Sequence, residues 1–189
     1  MNIRSNRFFF LFIFGLILVS CTTTNSKFLG EVEKLEESVA SSEKAFLAVD
    51  TATIGKYLRT SNVNLQYFQD NNIDTLDKQT AILISDYAAS RKSLRRLLEQ
   101  YNDIAQEINY TKKQLLALKT DVTNNALGEE KFSVYYSSEV KAVDRLNELI
   151  DNMVQWDSSA IKMYESKSPP FEKILQNLKN NIEKQTLKS

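Results

Sequence analysis

One register of apolar side chains governs what this chain can become. Steps of four and three from Leu76 give Leu76, Thr80, Leu83, Tyr87, Ser90, Leu94, Leu97, Tyr101, Ile104, Ile108, Thr111, Leu115, Leu118 and Val122. Eleven of these fourteen are apolar or aromatic, where an overall hydrophobic content of 42% would supply about six by chance. Heptads held in one phase over that length predict a long α-helix from Asp74 to about Asn124, with a seam that must meet other helices. Asp74 stands where an N-cap is needed, with Asp77 three residues on, and Asn124-Asn125 suits the C-cap.

Two further stretches repeat the period. Phe132, Tyr136, Glu139, Val143, Leu146, Ile150, Met153, Asp157, Ala160 and Tyr164 form one, with Glu139 and Asp157 as polar members. Phe28, Val32, Leu35, Val39, Ser42, Phe46 and Val49 begin the other, which continues through Leu47, Ile54, Leu58, Leu65 and Phe68 about one position out of phase. Asp50-Thr51-Ala52-Thr53 and Gly55 lie at the join, where a stutter or a local break is required. Ile84, Leu98, Ala105, Val140, Leu149, Val154, Trp156 and Ile161 flank the seams. A stripe that wide serves two neighbours rather than one.

Connections of a few residues, at Asn71-Asn72-Ile73 and from Asn124 to Gly128, call for antiparallel neighbours. The expected fold is therefore all-α: a long, coiled-coil-like, up-down-up three-helix bundle over residues 28–168. At about 40 residues a helix it would be roughly 60 Å long. Pro169-Pro170 is expected to stop the third helix. Phe171, Ile174, Leu175, Leu178 and Ile182 then mark a short amphipathic helix within a 169–189 tail.

The N-terminus has a different grammar. Arg4 and Arg7 precede an apolar run from Phe8 to Val19. Twelve residues span roughly 18 Å as a helix, short of the roughly 30 Å hydrocarbon core, so residues 1–20 fit a signal segment better than a membrane span. The run ends in Leu18-Val19-Ser20-Cys21, which resembles the lipobox of bacterial lipoproteins. That resemblance implies export, cleavage before Cys21, and acyl chains such as palmitate on that cysteine, with 21–27 a lipidated tether. Several chains on one residue hold a membrane far more firmly than a single myristoyl group. Thr22 follows the cysteine, where an Asp would typically retain an enterobacterial lipoprotein at the inner membrane. The implied location is the periplasmic face of a Gram-negative outer membrane.

Composition then narrows the chemistry. The chain has no His and one Cys, and that Cys is taken by the anchor. Imidazole bases, histidine-containing metal sites, disulfides and thiol catalysis are excluded. Formal charge is zero for the whole chain; without residues 1–20, which hold Arg4 and Arg7, it is 22 − 24 = −2. Nothing in that balance points to nucleic acid.

Several residues remain as candidate sites. Arg91, Lys92, Arg95 and Arg96 could hold an anionic ligand, although a solvated face with intrahelical ion pairs is the commoner use of such a cluster. Glu31, Glu33, Glu36, Glu37 and Glu43 are carboxylates interspersed with Lys34 and Lys44, without the concave, dry setting that acid–base catalysis needs. Glu139 and Asp157 suggest either a polar spot inside the bundle or a register-setting layer. Trp156, Tyr87, Tyr101, Tyr136 and Tyr164 lie on or beside seams and suit packing. Asp50-Thr51-Ala52 and Asp74-Thr75-Leu76 resemble a short O-glycosylation pattern of exported Bacteroidetes proteins, and serve equally as helix caps. The expectation is a non-enzymatic, cofactor-free envelope scaffold or accessory protein. Its partners would be the membrane, through acylated Cys21, and another envelope protein or itself. The rival is a chaperone-like or ligand-binding module using an inter-helix cleft or the C-terminal helix.

Overall fold

The computed structural model describes residues 6–71 and 76–187, with side chains from Asn25 onward. Every regular element in that range is helical: α1 (Asn6–Leu47), α2 (Thr51–Asp70), α3 (Lys78–Thr123) and α4 (Glu129–Thr186). No described helix is long and apolar enough to cross a membrane. The lipobox Leu18–Cys21 and the expected cap Asp74 lie outside the described side chains.

The seam on α3 buries its members without interruption from Tyr87 to Val122, apart from the half-buried Tyr101. Its first turns differ. The helix begins at Lys78 rather than Asp74, and Leu76 is exposed. The cap is Asp77, whose carboxylate accepts from the backbone N–H of Gln79 (2.9 Å) and Thr80 (3.0 Å) and from the Thr80 hydroxyl (2.6 Å). At the other end Asn125 takes φ 55°, the left-handed region that Asn tolerates. Its N–H reaches the Val122 carbonyl at 3.0 Å, and the Ala126 N–H reaches that of Asp121 at 2.9 Å. Those two bonds are a Schellman motif, and they reverse the chain within a few residues.

The phase slip in the first stretch is resolved by a break. α1 stops at Leu47, Asp50 caps α2 by accepting from the Thr53 N–H at 2.9 Å, and Ile54 enters the core fully buried. Leu47, expected in the seam, is 65% exposed, while Ser61 is buried and donates to the Tyr57 carbonyl at 2.6 Å. Leu149 and Val154, expected to widen the α4 stripe, are also exposed.

The expected stop at Pro169-Pro170 does not occur, and there is no separate short C-terminal helix. α4 runs through both prolines for 58 residues. An interior proline loses a hydrogen bond, clashes with the preceding turn and costs about 3 kcal/mol or more. Here both rings lie on the exposed side, and the heptad continues as Ala160, Tyr164, Ser168, Phe171 and Leu175, all buried. Phe171 stacks on Tyr87 with centroids 4.0 Å apart, and the Ser168 hydroxyl donates to Glu172 at 2.8 Å across the proline pair.

The chain divides into two compact units. Unit 1 comprises Met1–Lys44 and Gln106–Glu148. Its core includes Phe28, Val32, Leu118, Val122 and Phe132, with Phe28 stacked on Phe132 at 3.9 Å. Advancing along α1 from Glu36 to Glu43, the partners on α3 fall from Lys119 to Lys112. From Phe28 to Ser42, the partners on α4 rise from Phe132 to Asn147. Unit 2 comprises Ala45–Ala105 and Leu149–Ser189. There Tyr57 stacks on Tyr164 and Phe68 meets Phe171, while on α3 Asp86 pairs with Lys167 and Arg96 lies over Trp156.

Two substitutions test this packing. Ile104, 6% exposed, should not tolerate Asp, because the change buries an unpaired carboxylate; calorimetry should show a large fall in melting temperature. Phe171→Ala should cost about 3–5 kcal/mol by denaturant titration. An unchanged midpoint for either would mean that its stretch of seam is exposed.

Candidate functional site

The acidic run near the N-terminus is tied to another helix. Lys119 Nζ lies 2.7 Å from Glu36 and 3.4 Å from Glu33, and Lys112 Nζ lies 2.8 Å from Glu43. The Glu36 carboxylate raises the Lys119 pKa, with Glu33 adding to it. Lys34 and Lys44 are the lysines that sequence spacing suggests, and neither forms an ion pair among the described residues. Heptad geometry explains the α3 partners: residues beside the seam of one helix reach those beside the seam of the next. Asn147 adds a polar bridge, accepting from Ser42 at 2.6 Å and donating to Ser38 at 3.0 Å. Asn25, in the stretch expected to be a tether, is helical and donates to the Asn125 side chain.

The four basic candidates do not converge on a pocket. Arg95 pairs along its own helix with Glu99 at 3.8 Å, and Arg96 sits over the Trp156 ring, 5.5 Å from its centroid. Lys92 is exposed and Arg91 half-buried on the same helix. Asp86, which brackets the cluster in sequence, instead joins Lys167 of α4 at 2.8 Å. Trp156 therefore acts as a platform for an arginine, which sequence spacing did not reveal.

The two seam carboxylates are half-buried, in different units. Burial raises the pKa of each, and for Asp157 the charge of Asp50 raises it further. Asp157 Oδ1 is enclosed without a hydrogen-bond partner, as is the hydroxyl of Thr111 in unit 1. No group of three or more potential metal ligands occurs among the described residues.

Aromatic side chains gather in unit 2. Tyr87 is fully buried, its hydroxyl accepts from Asn64 at 3.3 Å, and burial pushes its pKa up. Tyr101 stacks on Phe46 at 4.2 Å. Tyr57 was not among the candidates, yet its ring covers Tyr164 at 4.4 Å and its hydroxyl donates to Glu165 at 2.8 Å. That bond to a carboxylate raises the Tyr57 pKa. These groups, with Lys56, Thr60, Ser168, Pro169 and Glu172, line a cleft of about 300 Å³ between α2 and α4. In unit 1 a larger cleft of about 660 Å³ is lined by Asn25, Ser26, Leu29, Gly30, Glu33, Thr123 and Asn125. Of the two patterns resembling a glycosylation signal, Asp50-Thr51-Ala52 forms the α2 cap, and Asp74-Thr75-Leu76 falls mostly outside the described residues.

Protein-family models, curated proteins and solved structures give no match to this chain.

Asp157 supplies a pH test. Its folded pKa lies above the unfolded value, so between the two the folded chain holds a proton that the unfolded chain releases. Stability therefore falls as pH rises through that window. Asp157→Asn should raise the melting temperature at pH 7 and flatten its decline above pH ~4. A melting temperature lower than that of the parent chain at pH 7 would mean that the carboxylate is stabilising.

Proposed function

We propose that this chain is a lipid-anchored protein of the bacterial envelope that acts as a non-enzymatic scaffold or accessory protein through protein–protein contacts. Leu18-Val19-Ser20-Cys21 supports the anchor, with acylated Cys21 at the periplasmic face of an outer membrane. The observation that carries the contact role is the set of large apolar side chains left in solvent, among them four in unit 1. Tyr110 (59% exposed) and Leu116 (61%) on α3, and Val134 (61%) and Tyr135 (50%) on α4, keep large apolar side chains in solvent. Unit 2 exposes others, such as Val63 and Ile82, and exposed apolar groups suit a partner surface; those of unit 1 share a unit with the N-terminal segment.

The helix order within each unit supports an up-down-up three-helix bundle. In unit 1 the partners of α1 fall along α3 and rise along α4, and in unit 2 α2 takes the place of α1. The cleft over Tyr57 and Tyr164 favours a second role, binding a ligand between helices. The other version of that role, a mobile C-terminal helix, loses its basis because Phe171 and Leu175 are buried within α4.

The anchor is tested by Cys21→Ser in the full chain. The parent should incorporate an alkyne-tagged palmitate and fractionate with membranes; the variant should incorporate none and accumulate unprocessed or released. Acylation of the variant would refute the lipobox. Photo-crosslinking residues placed at Leu116 and Val134 should capture a discrete partner in living cells, where one placed at Lys184 does not. Equal capture at all three positions would remove unit 1 as the contact surface.

A further inference from the structure

We propose that the cleft between α2 and α4 of unit 2 binds a small organic ammonium ion. This deepens the ligand-binding reading above and does not depend on the anchor. At about 300 Å³ the cleft is at the lower end of the range for small-molecule sites.

Three features of its lining converge on a cation. The first is Tyr57, whose ring covers the buried Tyr164 with centroids 4.4 Å apart and keeps its outer face for a ligand, since the face of an aromatic ring attracts a positive charge. The second is a pair of carboxylates held in place by neutral donors. Tyr57 Oη donates to Glu165 Oε1 and Ser168 Oγ donates to Glu172 Oε1, each at 2.8 Å. Each carboxylate keeps a second oxygen able to accept. Neither forms an ion pair among the described residues, although Lys56 lines the same cleft.

The third feature is the proline pair. Pro169 and Pro170 have no N–H, so the carbonyls of Glu165 and Ser166 lose the donors that an ordinary helix supplies. An aromatic ring, two carboxylates and a turn lacking two backbone donors therefore occur on one stretch of α4 and its neighbour. Rings offer little to a hard divalent ion, which seeks an oxygen cage, whereas an alkylammonium uses ring faces and oxygens together. The ammonium group can arrive on a free small molecule or on a lipid headgroup.

Calorimetric titration of the full chain with choline chloride and with ethanolamine hydrochloride tests the proposal. At least one should bind, and 3,3-dimethylbutanol, the uncharged shape-mate of choline, should bind at least about tenfold more weakly. The double variant Glu165→Gln, Glu172→Gln should lose about tenfold or more in affinity with its melting curve intact, and Lys56→Met should gain affinity by removing a competing cation. Vesicles of phosphatidylethanolamine and of phosphatidylglycerol, each compared between parent and double variant, identify the source. A difference confined to the ethanolamine lipid assigns the group to a headgroup, and binding of the free amines alone assigns it to a solute. Equal binding of dimethylbutanol and choline would overturn the ammonium proposal while keeping a ligand cleft. No response to any probe would overturn both.

Discussion

An apolar stripe on α3 can leave water only if helices cover it on more than one side. Burial of a side chain such as Leu94, Leu97 or Leu115 contributes about 1.5–3 kcal/mol, and the stripe repeats that gain at nearly every step from Tyr87 to Val122. No local preference elsewhere in the chain matches that sum. The other helices accordingly adjust their ends and their phase to it. The first stretch carries its apolar residues in two phases, and a single straight helix would turn one set outward. Ending α1 at Leu47 and restarting at Thr51 exposes helix ends, but Asp50 satisfies one donor of the new end, and Ile54 becomes fully buried.

The same balance decides α4 at its prolines. Two consecutive interior prolines oppose helix continuation by about 3 kcal/mol or more each. Against this stand Phe171, enclosed between Tyr87 and Phe68, then Leu175, then the Ser168–Glu172 bridge over the weakened turn. Because the rings project to solvent, neither displaces a core side chain. Packing can therefore win, and the backbone keeps a local defect where Pro169 and Pro170 supply no N–H. That defect lies beside the Tyr57–Tyr164 cleft. A local rule broken beside an unusual group of side chains is where function is most reasonably sought.

Periodicity made the helical class legible, along with the membership of the α3 and α4 seams and the turn at Asn125. All of these follow from side chains a turn apart in one chain. What escaped the sequence depends on a second segment. Glu33, Glu36 and Glu43 have lysines beside them in sequence, yet use Lys112 and Lys119 from another helix. Pro169-Pro170 carries a strong stop signal, and only the partners of Phe171 override it. Tyr57 gave no signal at all, because its importance comes from Tyr164 and Glu165, more than a hundred residues away. Ser61 is buried at a position where apolar counting sees only a polar residue.

The charged pairs have a different task from the apolar seam. Pairs such as Lys112–Glu43, with the lysine side chain half-exposed, contribute at most about 1 kcal/mol each, too little to hold helices together. The polar bridge beside them is what discriminates. In unit 1, Glu36 and Glu43 lie one heptad apart, as do Lys112 and Lys119, so sliding α1 by one heptad would re-form one of the two ion pairs, but it would pull Ser38 and Ser42 away from Asn147. An apolar seam repeats every seven residues and is nearly indifferent to such a slide. The Asn147 bridge does not repeat, so it selects one register among those the seam would accept. Glu139 and Asp157 stand within the seam itself, where burial disfavours their charged forms. Stability in this chain resides in its apolar repeat, and uniqueness in the few polar groups that do not repeat.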